Sequence, residues 1–138
     1  MRIMAIDYGD AHTGIAISDP TGLLAGFTTV INSRRQEVVV EQVAALAKEH
    51  GAEELVLGHP VNMDGTLGPR SEKAKAMKVL LEEATSLPVV LWDERRTTID
   101  AHNILFNSGK NAKQRKKVVD AVAASLILEG YLTFKKSR

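Results

Sequence analysis

Residues 3–9 read Ile-Met-Ala-Ile-Asp-Tyr-Gly, and residues 14–19 read Gly-Ile-Ala-Ile-Ser-Asp. Two short apolar runs separated by a glycine-containing turn predict two buried strands with a tight connection. The first run ends in Asp7. Because removing an unpaired carboxylate from water is costly, an acid built into a core strand needs a strong partner.

Two further segments place acids beside apolar residues. Asp93 and Glu94 end the apolar run 88–92, and Asp120 is the only charged residue between Val118 and Leu128. These acids come from distant parts of the chain, which suggests one shared partner. A divalent cation bound by oxygen ligands is the natural candidate.

Length and composition indicate a globular protein. The chain has 138 residues, of which 44% are apolar and 25% are charged, and we expect a single domain over residues 1–138. No apolar run is long enough for a membrane span, and the start of the sequence lacks the pattern of a signal peptide. The absence of cysteine excludes disulfides and thiolate chemistry and is compatible with a cytoplasmic location.

Charge is distributed unevenly along the chain. Residues 1–106 carry 10 basic and 15 acidic side chains, whereas residues 107–138 carry 8 basic and 2 acidic ones. The densest basic cluster spans residues 110–117. It could be a solvated surface or a binding surface for a polyanion, and its position just before Asp120 favours the polyanion.

The pattern predicts the element order β-β-β-α-β-α-β-α-α in an α/β fold. The first three strands (2–8, 14–18 and 23–31) should form an antiparallel meander, and strands 55–57 and 88–92 should pair in parallel through helical crossovers. Capping-box patterns predict helices that begin near residues 33–36 and 97–100, the latter running to about 106. Pro69 begins a helix to about 85 with Ala74, Met77, Leu81 and Ala84 on one side, and the last helix begins near 113. The result is a mixed five-stranded sheet with helices on both faces.

Four blocks of sequence resemble the YqgF/RuvX family of RNase H-like nucleases, which is related to the Holliday junction resolvase RuvC. The blocks are Asp7-Tyr8-Gly9 with residues 14–19, residues 58–66 (Gly-His-Pro-Val-Asn-Met-Asp-Gly-Thr) with Gly68-Pro69-Arg70, residues 92–98 (Trp-Asp-Glu-Arg-Arg-Thr-Thr), and residues 116–124 with Ile127-Leu128. The resemblance implies an RNase H-like fold with catalytic, metal-binding acids at Asp7, Glu94 and Asp120. Asp93 is adjacent to Glu94 and is an alternative ligand.

The resemblance also implies a cofactor and a substrate. Two Mg²⁺ or Mn²⁺ ions are expected, bound mainly together with substrate, with Asp7 between them and Glu94 and Asp120 holding one each. The implied activity is a metal-dependent endonuclease that processes the 5′ end of pre-16S rRNA in ribosome biogenesis, with ribosomal precursor particles as partners. The residues expected to bind phosphate are Arg70, Arg95, Arg96, Lys113, Arg115, Lys116 and Lys117. We expect no membrane partner and either a monomer or a weak homodimer.

Several alternatives stay open from sequence. The chain could be a Holliday junction resolvase-like nuclease acting on branched DNA, or a non-catalytic RNA-binding ribosome-assembly factor. Asp7-x-Gly9 also resembles the phosphate motif of actin-like ATPases and sugar kinases, but these need two such domains, and no P-loop pattern occurs. His59 and His12 could each activate water, although turn or packing roles are commoner.

Two positions depart from the pattern of the related resolvases. These enzymes carry an acid near the end of the fourth strand, where this chain has Gly58-His59-Pro60. RuvC-type enzymes also place a fourth acid on the last helix, where this chain has Ala123, three residues after Asp120. The second acid must therefore come from the fifth strand.

Overall fold

The computed structural model describes residues 1–19, 25–62, 64–94 and 112–136, without the side chains of residues 112–120. The strands are β1 (Ile3–Asp7), β2 (His12–Ser18), β3 (Ala25–Asn32), β4 (Glu54–His59) and β5 (Val89–Asp93). The helices are α1 (Gln36–His50), α2 (Pro69–Thr85) and α3 (Ala112–Lys136). The short helix predicted over residues 97–106 lies outside the described residues.

The strands form one mixed sheet in the order β3-β2-β1-β4-β5. β1 pairs antiparallel with β2 and parallel with β4, and β4 pairs parallel with β5. The predicted meander followed by two parallel strands is therefore confirmed. Because β1, β4 and β5 run in the same direction, their carboxyl ends lie along one edge of the sheet.

Side-chain alternation along β1 divides the core into two halves. Met4 and Ile6 pack under α1 and α2, whereas Ile3 and Ala5 pack against the face covered by α3. The α3 half contains Ala124, Ile127, Leu128, Tyr131 and Leu132. Since successive strand residues point to opposite faces, Asp7 follows Ala5 on the α3 side.

The first helix begins differently from the prediction. No capping box forms at residues 33–36. Arg35 is the N-cap of α1 and makes no side-chain capping bond, while its own N–H donates to the Oγ of Ser33 over 3.1 Å. The helix ends at His50, and Gly51, its C-cap, adopts the left-handed conformation at φ 67° that glycine accommodates without strain.

The buried side of α2 ends earlier along the helix than predicted. Ala74, Met77 and Leu81 are buried as expected, but Ala84 is exposed. Within the described ranges, no helix is long and apolar enough to cross a membrane.

Candidate metal and nucleic-acid site

Two of the predicted acids meet at the carboxyl edge of the sheet. Asp7 is the last residue of β1, and Glu94 directly follows β5, the strand two places away in the sheet. Their side chains share a hydrogen bond. Two carboxyl groups can share such a bond only when one of them carries a proton, and here Glu94 is the donor.

The pKa values of both acids are raised. Burial is the largest cause for each of them. It raises the pKa of Glu94 to about 8, with further contributions from the negative charge of Asp7 and from the hydrogen bond with it. The pKa of Asp7 is raised by burial and partly lowered by the hydrogen bond from Glu94 and by the positive charge of Arg70. The pair therefore stays partly protonated unless positive charge is brought to it.

Strand alternation distinguishes Glu94 from Asp93. Trp92 packs in the α3 half of the core, so Glu94, two residues later, emerges on the same side as Asp7. Asp93 belongs to the alternate set and is paired in register with His59 of β4. The charge of Asp93 contributes to the raised pKa of Glu94, so the acids are electrostatic neighbours. The geometry favours Glu94 as the partner of Asp7.

A glycine lies beneath the Glu94 carboxylate. Gly58 occupies β4, between β1 and β5, and a Cβ atom built there would lie 2.6 Å from Oε1 of Glu94. The side chain from β5 therefore reaches toward Asp7 across the bare backbone of β4. In the sequence, Gly58 differs from related resolvases only by standing where they carry an acid. Glycine inside a strand often marks the close approach of another group, so the glycine itself was the sequence signal for this contact.

Two basic side chains line a small cleft together with Glu94. The cleft is lined by Tyr8, Asp10, Gly58, Pro60, Arg70, Lys73, Ala74 and Glu94. Arg70, at the start of α2, is exposed and acts electrostatically on both Asp7 and Glu94. Lys73, one turn later, forms an exposed ion pair with Asp10 over 3.3 Å. Sequence reasoning missed Lys73, although its spacing of three from Arg70 places it on the same side of the helix.

The remaining predicted residues are only partly described. Asp120 lies on α3, one turn before the buried Ala124, and helical register places both positions on the same face of the helix. Lys113, Arg115, Lys116 and Lys117 also lie on the first turns of α3. Arg95 and Arg96 lie outside the described residues. The participation of these positions in the site stays a prediction.

The two histidines considered for water activation have partners. His59 shares a hydrogen bond of 2.6 Å with the Oγ of Ser71, a fully buried residue on α2. His12 shares one of 2.6 Å with Oδ1 of Asn32 on the neighbouring strand. Both contacts join secondary-structure elements, which favours the packing roles.

The residues present fit a divalent cation. Two carboxylates converge, both are partly buried, and burial raises the pKa of each, so a cation there would offset the cost of their negative charge. Oxygen donors of this kind suit Mg²⁺ and Mn²⁺. The described side chains contain no cluster of three or more potential ligands, so a third carboxylate would have to come from a residue such as Asp120.

Comparison with known proteins places this geometry in a family. The model of the RuvX family, described as Holliday junction resolvase, matches residues 1–134. A Halothermothrix orenii protein named "Putative pre-16S rRNA nuclease" is 43% identical over 135 residues, which cover 98% of this chain and 96% of that protein. A Geobacillus kaustophilus protein of the same name is 41% identical over 138 residues, covering 99% of this chain and 100% of its own.

Solved structures confirm the predicted RNase H-like fold. The RuvC protein of T. thermophilus, solved in complex with a Holliday junction substrate, superposes with a TM-score of 0.65 and covers 98% of this chain and 96% of its own. Its 14% sequence identity makes this a likeness of fold alone. The family match spans nearly the whole sequence and agrees with relatives that align along their full length. The chain belongs to the RuvX family.

Proposed function

We propose that the protein is a metal-dependent endonuclease that processes the 5′ end of pre-16S rRNA. The observation that carries this proposal is the contact between Asp7 and Glu94 at the carboxyl edge of the sheet, beside a cleft with Arg70 and Lys73 on its wall. The names of the full-length relatives supply the substrate.

Asp7 and Glu94 would hold the cation, together with Asp120 from α3. Bound there, Mg²⁺ or Mn²⁺ would supply the positive charge that stabilises phosphodiester hydrolysis. The carboxylates cannot supply this charge themselves, and each pays a desolvation cost that the cation offsets. Because three carboxylates leave part of the coordination shell of Mg²⁺ unfilled, we expect substrate phosphate to complete it and metal affinity to rise when RNA is bound.

Arg70 and Lys73 would position the RNA backbone. Both line the cleft that contains Glu94, and both are exposed enough to meet a phosphate. Guanidinium matches two phosphate oxygens at once, whereas ammonium acts as a point charge. The basic residues of α3 would extend this surface along the nucleic acid, and none of these contacts reads base sequence.

The direct test is cleavage of labelled RNA that carries the 5′ leader of pre-16S rRNA, in Mg²⁺ or Mn²⁺. Asp7→Asn and Glu94→Gln should each lower the cleavage rate by roughly 100-fold or more, the scale of losing one electrostatic stabiliser of a transition state. Both variants should still bind the RNA in EDTA, because the basic residues are unchanged.

A matched control uses the same chemical change at another place. Glu82→Gln removes a carboxylate that pairs with Lys78 on α2 and does not line the cleft, so this variant should cleave as the wild type does. Cleavage that survives in Asp7→Asn, or that persists in EDTA, would contradict the proposal.

Branched DNA is the second candidate substrate, favoured by the description of the family model. A four-way DNA junction tested beside the RNA separates the two. Preferential cleavage of the junction would assign a resolvase-like activity. Binding without cleavage of either substrate, unchanged by Asp7→Asn, would indicate a ribosome-assembly factor.

A further inference from the structure

Gly58 occupies the space between the two strands that carry the acids. A Cβ atom at this position would lie 2.6 Å from Oε1 and 3.2 Å from Cδ of Glu94, and 2.9 Å from Cδ1 of Ile127. We propose that Gly58 is a positioning residue whose missing side chain keeps open the space in which Glu94 reaches Asp7. The steric part of this proposal stands alone, and its catalytic part rests on the proposed function.

Backbone conformation does not explain this glycine. Gly58 has no left-handed φ and pairs in register with Trp92 within the regular ladder between β4 and β5. Any residue can adopt such a backbone, and a side chain at this position of a strand would ordinarily be tolerated. Glycine is therefore required because Glu94 and Ile127 already fill the space that a side chain would occupy.

The two side chains next to Gly58 differ in how easily they could move away from an added methyl group. Ile127 is 1% exposed and packs in the α3 half of the core, so its movement would disturb Ala124 and Leu128. Glu94 is only partly buried and is the easier group to move. An added methyl group should therefore displace the carboxylate away from Asp7 while the fold is retained.

The carboxylate of Glu94 occupies space that belongs to a neighbouring strand. Glu94 comes from β5, yet its carboxylate lies over β4, the strand adjacent to Asp7. The same space cannot hold side chains from both strands. Gly58 and Glu94 should thus behave as a coupled pair, in which a change at Gly58 acts on cleavage through the carboxylate.

The test compares Gly58→Ala with the wild type in the RNA cleavage assay. We expect kcat to fall by roughly 10- to 100-fold, as for loss of a residue that orients a metal ligand, with KM changed less than about 2-fold. Gly130→Ala is the matched control, because it also adds a methyl group against a core residue, at 3.3 Å from the ring of Trp92 and not against Glu94. This control should leave kcat unchanged.

A double-mutant cycle with Glu94→Ala tests the coupling. In cleavage, Gly58→Ala should add no further loss to Glu94→Ala, because the carboxylate it displaces is already gone. In thermal unfolding in EDTA, Gly58→Ala should lower Tm by several degrees less in the Glu94→Ala background than in the wild type.

The two readouts separate the possible failures. Additive effects in unfolding, or wild-type kcat in Gly58→Ala, would overturn the role of Gly58. If the wild type cleaves neither RNA nor junction, the proposed function fails, and the unfolding cycle still decides whether Gly58 makes room for Glu94. Should Gly58→Ala fail to fold, the fold must be recovered in Gly58→Ala/Glu94→Ala, and failure to recover it would overturn the proposal.

Discussion

At the scale of single residues, the hydrogen bond between Asp7 and Glu94 requires a proton on one of the two carboxyl groups. Asp7 and Glu94 approach closely enough for a hydrogen bond, and burial raises the pKa of both. Such a pair is unfavourable for the folded protein when both groups are charged. Residues that would hold a cation are therefore expected to reduce stability in its absence.

The pH dependence of stability follows from Glu94. Its pKa is about 8 in the folded protein and near 4.5 when exposed, so the folded state binds more protons between these values and loses stability as pH rises through them. Glu94→Gln removes this loss. In EDTA its free energy of unfolding should exceed that of the wild type by a few kcal/mol at pH 8.5 and match it near pH 4.5.

Urea unfolding at the two pH values provides the measurement. Glu82→Gln is the control and should show no pH-dependent gain. In millimolar Mg²⁺ the advantage of Glu94→Gln should shrink, since the wild type alone gains from cation binding. An advantage of equal size at both pH values would contradict the assignment of the proton to this pair.

A second prediction concerns the ion pair between Lys73 and Asp10. Both side chains are well exposed, so the pair contributes little to stability, and its partners remain available to nucleic acid. Lys73→Ala should weaken RNA binding about 3- to 10-fold and reduce the slope of log K against log salt by about 1. Asp10→Asn should strengthen binding, because it removes a competing negative charge from the cleft.

Lys75→Ala is the control for that measurement. Lys75 lies on the same helix, pairs with Glu72 and does not line the cleft. Filter binding or fluorescence anisotropy over a salt series would show the difference. Equal losses from Lys73→Ala and Lys75→Ala would indicate a general charge effect and remove Lys73 from the site.

At the scale of elements, the start of α1 is open to improvement. Arg35 occupies the N-cap without a capping side chain, and its ion pair with Glu37 is exposed. Arg35→Ser should raise the free energy of unfolding by roughly 0.5–1 kcal/mol through a hydrogen bond to the first turn. Chemical denaturation measures it, with Arg34→Ser, one residue before the cap, as the neutral control.

The strands were easier to predict than the caps. Apolar runs around Ile6, Leu57 and Val90 predicted β1, β4 and β5 because each strand is buried on both faces by helices. The capping box at residues 33–36 was wrong, since a residue pattern alone cannot tell which residue begins the helix. Ala84 was misplaced because periodicity predicts which side of a helix is apolar, not which positions on that side are covered.

The sequence predicted which acids form the candidate site, but it did not predict how they are arranged in space. Asp7 and Glu94 were identified because carboxylates are costly in apolar segments. Their contact depends on strand order and on the space above Gly58, which are three-dimensional properties. Lys73 was missed for a related reason, because a lysine on a helix ordinarily indicates a solvated surface.

At the scale of the whole molecule, the uneven charge should govern binding. The basic residues of the last 32 positions include Lys116 and Lys117, close in sequence to Asp120. Lys116→Ala/Lys117→Ala should weaken binding to RNA and to junction DNA alike and reduce the salt slope by about 2, because phosphate contacts carry no base information.

Substitution of two lysines elsewhere controls for net charge. Lys48→Ala/Lys136→Ala changes the total charge equally, and neither residue lines the cleft. Salt titration of both double variants measures the slopes. Identical slopes for the two would show that the basic cluster is not the binding surface.

The helix that covers one face of the sheet also fixes when that face closes during synthesis. Ile3 and Ala5 are made more than 100 residues before Ala124 and Leu128, which bury them in the same half of the core. A nascent chain that has completed all five strands therefore still presents an uncovered apolar surface. Protection of that surface by chaperones should end only when the final helix has emerged.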